Sequence, residues 1–350
     1  MMVQARAFEN FAPAILQAYH HDKSAFWDAV MAPFLTNNHS SLARLRHFEL
    51  DVGLLAAFTG LEDATAQTLK EFGAPLGFDV TAWKSNRPQY FKDAYPMFAF
   101  LAVWMDEEGL DDLVESFAEI LKAGVFAVAG YGILDANVDS DAPSSVEILT
   151  AQILIAEYET LALQIFGVSK VNLGIMHEMR TLFLQAEIKE KSSRGKSSPY
   201  SLNNPKELGA KGANSVVPFM LSLERLGRAK LVPDYWEVFL LFGAAIQMID
   251  DWEDLESDLA VGHYSYVTLG FEQLLTQKES KEIAALLRAN PTHVRQTFDI
   301  SKEMIAQSRA ILSRLHDSIL VRLVDVTEAR LETYFHQELK MSRQEKKVKS

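Results

Sequence analysis

The chain has 350 residues, 48% of them hydrophobic and 23% charged, and a formal net charge of −13. That is a globular composition with enough chain for a sizeable core, and its acidity argues against a nucleic-acid binder, which needs a basic face. Cysteine is absent, which excludes disulfides, thiolate ligands and a cysteine nucleophile.

The first stretch, MMVQARAFENFAPAILQAYHHDK, lacks a basic start followed by an apolar run, so no secretory signal is expected. Helical periodicity then dominates. Residues 8–35 read as one or two helices broken near Pro33. Ser40 or Ser41 caps a helix reaching Thr59, and residues 61–72 form a short one. Residues 73–88 carry glycine, proline and Asn86 and read as a loop. Helices are expected over 90–106 and 110–139, then a turn, then a helix capped by Ser144 or Ser145 and running to Phe166. Another covers 171–191. The serine-rich run 192–204 reads as a mobile basic loop. Residues 206–226 read as a helix kinked at Pro218, and Pro233 starts the next. Residues 267–340 supply three or four more, and 341–350 form a basic, frayed tail. No strand alternation or internal repeat is present. The expected fold is all-α, a single domain of about a dozen helices over residues 1–340.

The helix after Pro233 is the unusual one. Phe239, Leu240, Leu241, Phe242, Ala244, Ala245, Ile246, Met248 and Ile249 make it apolar on all sides, as in a buried helix. It ends in Asp250, Asp251, Asp254 and Asp258. Spacing by four places Asp250, Asp254 and Asp258 on one face, a repulsive arrangement unless cations sit among them. With no Cys and no paired His, oxygen donors suit Mg²⁺ and not zinc. The candidate Mg²⁺ ligands are therefore Asp250, Asp254 and either Asp251 or Asp258. A second pair, Asp135 and Asp139 in the run DANVD, has the same spacing at the end of another apolar helix. Two such clusters facing each other would bridge metal ions to a diphosphate. The longest nearly unbroken apolar stretch, 239–249, is too short to span a bilayer, so no membrane segment is expected, and the localisation expected is cytoplasmic.

The segment GAAIQMIDDWEDLESDLAVGHYSY resembles the second aspartate-rich motif of the trans-prenyl diphosphate synthases, within the class I isoprenoid synthase superfamily. The matching residues are Gly243, Ile246, Gln247, Asp250, Asp251, Asp254, Gly262 and Ser265, with His263 in the place of the family's lysine. Lys211 in AKGANS resembles the lysine that touches the allylic diphosphate, and Asp135 and Asp139 resemble the outer places of the first motif. Lys84, Arg87 and Pro88 resemble the segment that holds isopentenyl diphosphate, but its glycine is missing. The basic pair expected after the first motif is missing too, and DANVD has lost one aspartate.

The resemblance implies a helical bundle around an apolar cavity, three Mg²⁺ ions and a prenyl diphosphate substrate. The losses fall on the second diphosphate, which points to a terpene synthase that ionises, and cyclises, a farnesyl- or geranylgeranyl-type substrate. Asp250, Asp254 and Lys211 would be catalytic, with Gln247, Arg180, Lys84, Arg87 and His263 contacting substrate. Phe239, Phe242, Trp252, Phe219, Phe126 and Tyr131 would line the cavity, and the 192–204 loop, with Arg194 and Lys196, would close over the diphosphate. The alternatives are an elongating prenyl diphosphate synthase or a non-catalytic partner subunit of one. A homodimer is the oligomer expected.

Overall fold

The computed structural model describes residues 2–27, 52–80, 89–140, 142–201, 203–271 and 278–348. Every regular element among them is helical, as the periodicity predicts. The chain divides into two compact units, Met1–His177 with Asn214–Ala229, and Glu178–Ala213 with Lys230–Ser350.

In the first unit, α1 (Met2–His21) packs along α2 (Val52–Gly73). The latter is continuous through Gly60, where two helices were expected. Next come α3 (Gln89–Glu107), the short α4 (Asp111–Glu115) and α5 (Phe117–Asp139). The expected helix over 110–139 is thus broken at Ser116, whose backbone N–H still bonds to Asp112. Ser144 caps α6 (Ser145–Phe166), accepting from the Glu147 N–H at 3.3 Å, a serine N-cap supporting an otherwise apolar helix. The final piece is α8 (Val217–Arg225), whose Phe219 packs on Phe100 and Trp104 at ring separations of 6.0 and 5.3 Å. Pro218 lies in the first turn of α8 and not inside a longer helix. Residues Pro205–Val216 before it form 3-10 turns, and a proline lacking an N–H is tolerated at a helix start.

Two helices of this unit, α5 over Phe117–Val138 and α6 over Ser145–Phe166, are long and apolar enough to cross a membrane, which a search for one unbroken apolar run overlooks. In α5 the apolar window is 67% buried, and in α6 only 28%.

The helix α7 (Lys170–Ser193) begins in the first unit and continues into the second. There α9 (Val232–Glu253) packs against α12 (Pro291–Leu315) and α13 (Ser318–Val348). Pro233 and Asp234 occupy its first turn, as expected, and its middle is buried. A Cβ at Gly209 would lie 2.0 Å from the Leu240 carbonyl oxygen, so only glycine lets the 3-10 segment approach α9 this closely. Arg288, on α11 (Ser280–Arg288), donates to the Trp252 carbonyl at 2.6 Å. A guanidinium at a helix C-terminus satisfies carbonyls left without intrahelical partners. The aromatic residues expected to line a cavity are all buried: Phe219, Phe126 and Tyr131 in the first unit, Phe239, Phe242 and Trp252 in the second.

Candidate functional site

Asp250, Asp251, Asp254 and Asp258 all lie where α9 meets α10 (Leu255–Ala260). The regular helix pauses at Asp254, but the Asp254 N–H still bonds to the Asp250 carbonyl and the Asp258 N–H to the Asp254 carbonyl, both at 2.9 Å. The i, i+4, i+8 stripe therefore survives the joint. Asp250 and Asp254 are exposed and Asp258 is half-buried.

Asp251 turns the other way and is only 4% exposed. It accepts the Tyr266 backbone N–H at 3.2 Å and the Gln247 amide at 3.3 Å. Gln247 also donates to Asp250 at 3.0 Å. Burial, and then the charges of Asp258 and Asp250, push the Asp251 carboxyl up to about 7. This aspartate ties the end of α9 to the segment that follows α10.

Beside it lies a buried charge cluster centred on Glu190, near the end of α7. Glu190 receives Lys211 Nζ at 2.9 Å, His263 Nε2 at 3.3 Å and the Tyr200 hydroxyl. Lys211 also stands 4.0 Å from Glu187, and His263 Nδ1 stands 3.6 Å from Asp258. Burial opposes the Glu190 charge, but Lys211 and then His263 and Tyr200 outweigh it and hold the carboxyl down at about 2. Burial likewise opposes charge on His263, yet the carboxylates of Asp258 and Glu190 against its two ring nitrogens raise it to about 10. Both rings and chains are held charged by partners rather than by water, as buried ions must be.

The 192–204 segment is tied to this cluster and is not a loose loop. The Gly195 N–H bonds to the Gly262 carbonyl at 2.8 Å, and Tyr200 is buried against Glu190. At Gly262 φ is +71°, and a Cβ there would sit 3.3 Å from the Gly195 Cα.

The second unit thus brings Lys211, His263, Gln247 and the four aspartates to one end of α9. Arg180 is exposed on α7. Asp135 is half-buried on the last turns of α5, in the first unit. The side chain of Asp139, Lys84 and Arg87 lie outside the described residues. Inside the DANVD run Asn137 is buried. It donates to the Ile133 carbonyl at 2.9 Å and to Glu147 at 2.7 Å, and accepts the Ser144 N–H at 2.8 Å. It locks the turn between α5 and α6.

Glu187, Glu190 and Tyr200 escaped the sequence reading. A signal existed: Met179, Phe183 and Ala186 mark the buried face of α7, and the same helical spacing continues onto Glu187 and Glu190, two acids on the face the core claims.

Among the described residues, no three His, Asp or Glu side chains converge to hold a metal ion. The donor chemistry still fits Mg²⁺, which binds through one or two carboxylates plus waters and substrate phosphate and not in an all-protein cage. Asp250 and Asp254, both exposed, offer oxygen donors of that kind. Compared with protein-family models, curated proteins and solved structures, the chain matches none.

Proposed function

We propose that the chain is a Mg²⁺-dependent class I terpene synthase that ionises a farnesyl- or geranylgeranyl-type diphosphate. The observation that carries this reading is the division of the aspartates. Asp250 and Asp254 are exposed on one face, while Asp251 is buried and bonded to the Tyr266 N–H. That division favours Asp250, Asp254 and Asp258, whose i, i+4, i+8 spacing resembles the metal-ligand motif of terpene synthases, over Asp250, Asp251 and Asp254, the set that resembles the elongating prenyl synthases.

Asp250 and Asp254 would hold the ions, with Asp258 completing the stripe. Bound Mg²⁺ supplies charge neutralisation for the leaving diphosphate. Gln247 steadies the Asp250 carboxylate through its 3.0 Å bond. Lys211 would meet the diphosphate by giving up its longer contact, Glu187 at 4.0 Å, while Glu190 keeps it in place at 2.9 Å. His263, held protonated, adds positive charge between Asp258 and Glu190. These groups are fixed before substrate arrives, and fixed charges stabilise a developing anion best.

The test is incubation of pure protein with Mg²⁺ and farnesyl or geranylgeranyl diphosphate, with and without isopentenyl diphosphate. Hydrocarbon or alcohol formed without isopentenyl diphosphate supports the proposal. A longer diphosphate formed only with it, and no hydrocarbon, replaces the proposal with the elongating reading. No turnover of either kind leaves a non-catalytic subunit. Asp254→Ala is expected to abolish diphosphate release.

A further inference from the structure

We infer that Tyr200 is a positioning residue for the diphosphate site: by taking one oxygen of Glu190, it leaves Lys211 a single carboxylate oxygen and so keeps the ammonium ready to turn to an incoming diphosphate. The inference rests on the role of Lys211 proposed above. Tyr200, Glu190, Lys211 and His263 all belong to the second unit. Glu190 is 5% exposed, and its carboxylate is divided atom by atom. The Tyr200 hydroxyl donates to Oε1. Lys211 Nζ donates to Oε2 at 2.9 Å, and His263 Nε2 stands 3.3 Å from that same Oε2. One phenol therefore holds one oxygen, and two cationic groups share the other.

Tyr200 is itself held in place. It is 7% exposed, and Lys189 Nζ lies 5.7 Å from its ring centroid, a cation over an aromatic face. Its backbone N–H donates to Ser198 Oγ at 3.4 Å. The segment is pinned on one side by the bond from the Gly195 N–H to the Gly262 carbonyl, and on the other by Asn204, which donates to Glu207 at 2.7 Å. Without the hydroxyl, Oε1 would be a buried, charged acceptor that has lost its donor, and such an atom is costly until another donor reaches it. An ammonium carries three N–H donors and can meet both oxygens of one carboxylate, whereas an imidazolium presents a single N–H at Nε2, here on the side of Oε2. The freed oxygen therefore goes to Lys211. A lysine held by both oxygens has one more charge-assisted hydrogen bond to break before it meets a diphosphate. Tyr200 prevents that without touching substrate.

Tyr200→Phe removes the hydroxyl and keeps the ring. Calorimetric titration of the full chain with inorganic pyrophosphate and Mg²⁺ should give this variant a Kd about tenfold weaker, one charge-assisted hydrogen bond expressed as affinity, at the stoichiometry of the wild type. A merely structural loss does the reverse: it lowers the stoichiometry as chains unfold and leaves the Kd of the folded ones. In a Lys211→Gln background, Tyr200→Phe should shift the Kd by no more than about twofold, the scatter of additivity, because its route to the ligand is gone. A second measurement needs no ligand. Reductive methylation of Lys211, read on its peptide by mass spectrometry, should be about tenfold slower in Tyr200→Phe, for the same extra bond. A Tyr200→Phe Kd equal to that of the wild type overturns the inference alone, as does methylation at an unchanged or faster rate. A tenfold loss that persists in the Lys211→Gln background overturns it too. A wild type that binds no pyrophosphate overturns the proposed function and, with it, this inference.

Discussion

Asp250 and Asp251 are adjacent, but a helix sets neighbours about 100° apart, so one reaches solvent and the other the core. Asp251→Asn keeps an acceptor for the Tyr266 N–H and removes the buried charge. It should retain ionising activity to within about tenfold. Asp250→Ala and Asp254→Ala should lose at least about 100-fold in kcat, the scale of removing one electrostatic stabiliser. Steady-state assay of the three variants checks this. Asp251→Ala leaves the Tyr266 N–H without its acceptor and should cost about 1–3 kcal/mol in denaturant unfolding. The carboxyl of Asp251 is raised to about 7 in the fold, against about 3.9 unfolded. The folded state thus holds a proton the unfolded state has lost, and this contribution to stability is full below about pH 4 and falls away as pH rises through about 7. In Asp251→Asn that decline should vanish from a plot of unfolding free energy against pH.

At the scale of elements, Glu190 joins α7, the 192–204 segment, the 3-10 segment bearing Lys211 and the turn bearing His263. Glu190→Gln leaves Lys211 and His263 buried with a weaker partner, and should destabilise the fold by about 3–5 kcal/mol, the range for breaking a buried pair; urea unfolding measures it. The pH sign of Glu190 opposes that of Asp251, and the sign of His263 agrees with it. Glu190 is lowered to about 2, so its contribution is present above its unfolded value and is lost as pH falls through about 2. His263 is raised to about 10, so its contribution is present below about 6.5 and is lost as pH rises through about 10. His263→Gln should remove the alkaline loss alone. Gly262→Ala meets both a positive φ and the Gly195 backbone, and should cost more than about 1 kcal/mol. The helices themselves were legible where a cap or a proline marks them, as at Ser144 and Pro233. They were not legible where a break is tertiary. No proline or glycine announces the joint at Ser116, and Gly60 interrupts nothing because α1 packs alongside it.

For the whole molecule, the proposed function makes a prediction that needs no turnover. A ligand at 100 times its Kd stabilises the folded state by about 2.7 kcal/mol. Inorganic pyrophosphate with Mg²⁺ should therefore raise the unfolding midpoint, and EDTA should reverse the rise. Asp254→Ala should show no response, and a response that survives in that variant would move the binding site away from α9.

The all-helical class, most helix positions and the acidic stripe of α9 follow from the sequence by itself, because periodicity and spacing along one helix are local properties. Which aspartate faces inward, what holds Lys211, and why Glu187 and Glu190 are buried were decided only by the tertiary structure. Each depends on groups far apart in the chain: the Tyr266 N–H lies 15 residues from Asp251, and Glu190 lies 21 residues from Lys211. Charge and burial at such positions are set by neighbours in space, and those neighbours exist only once the chain has folded.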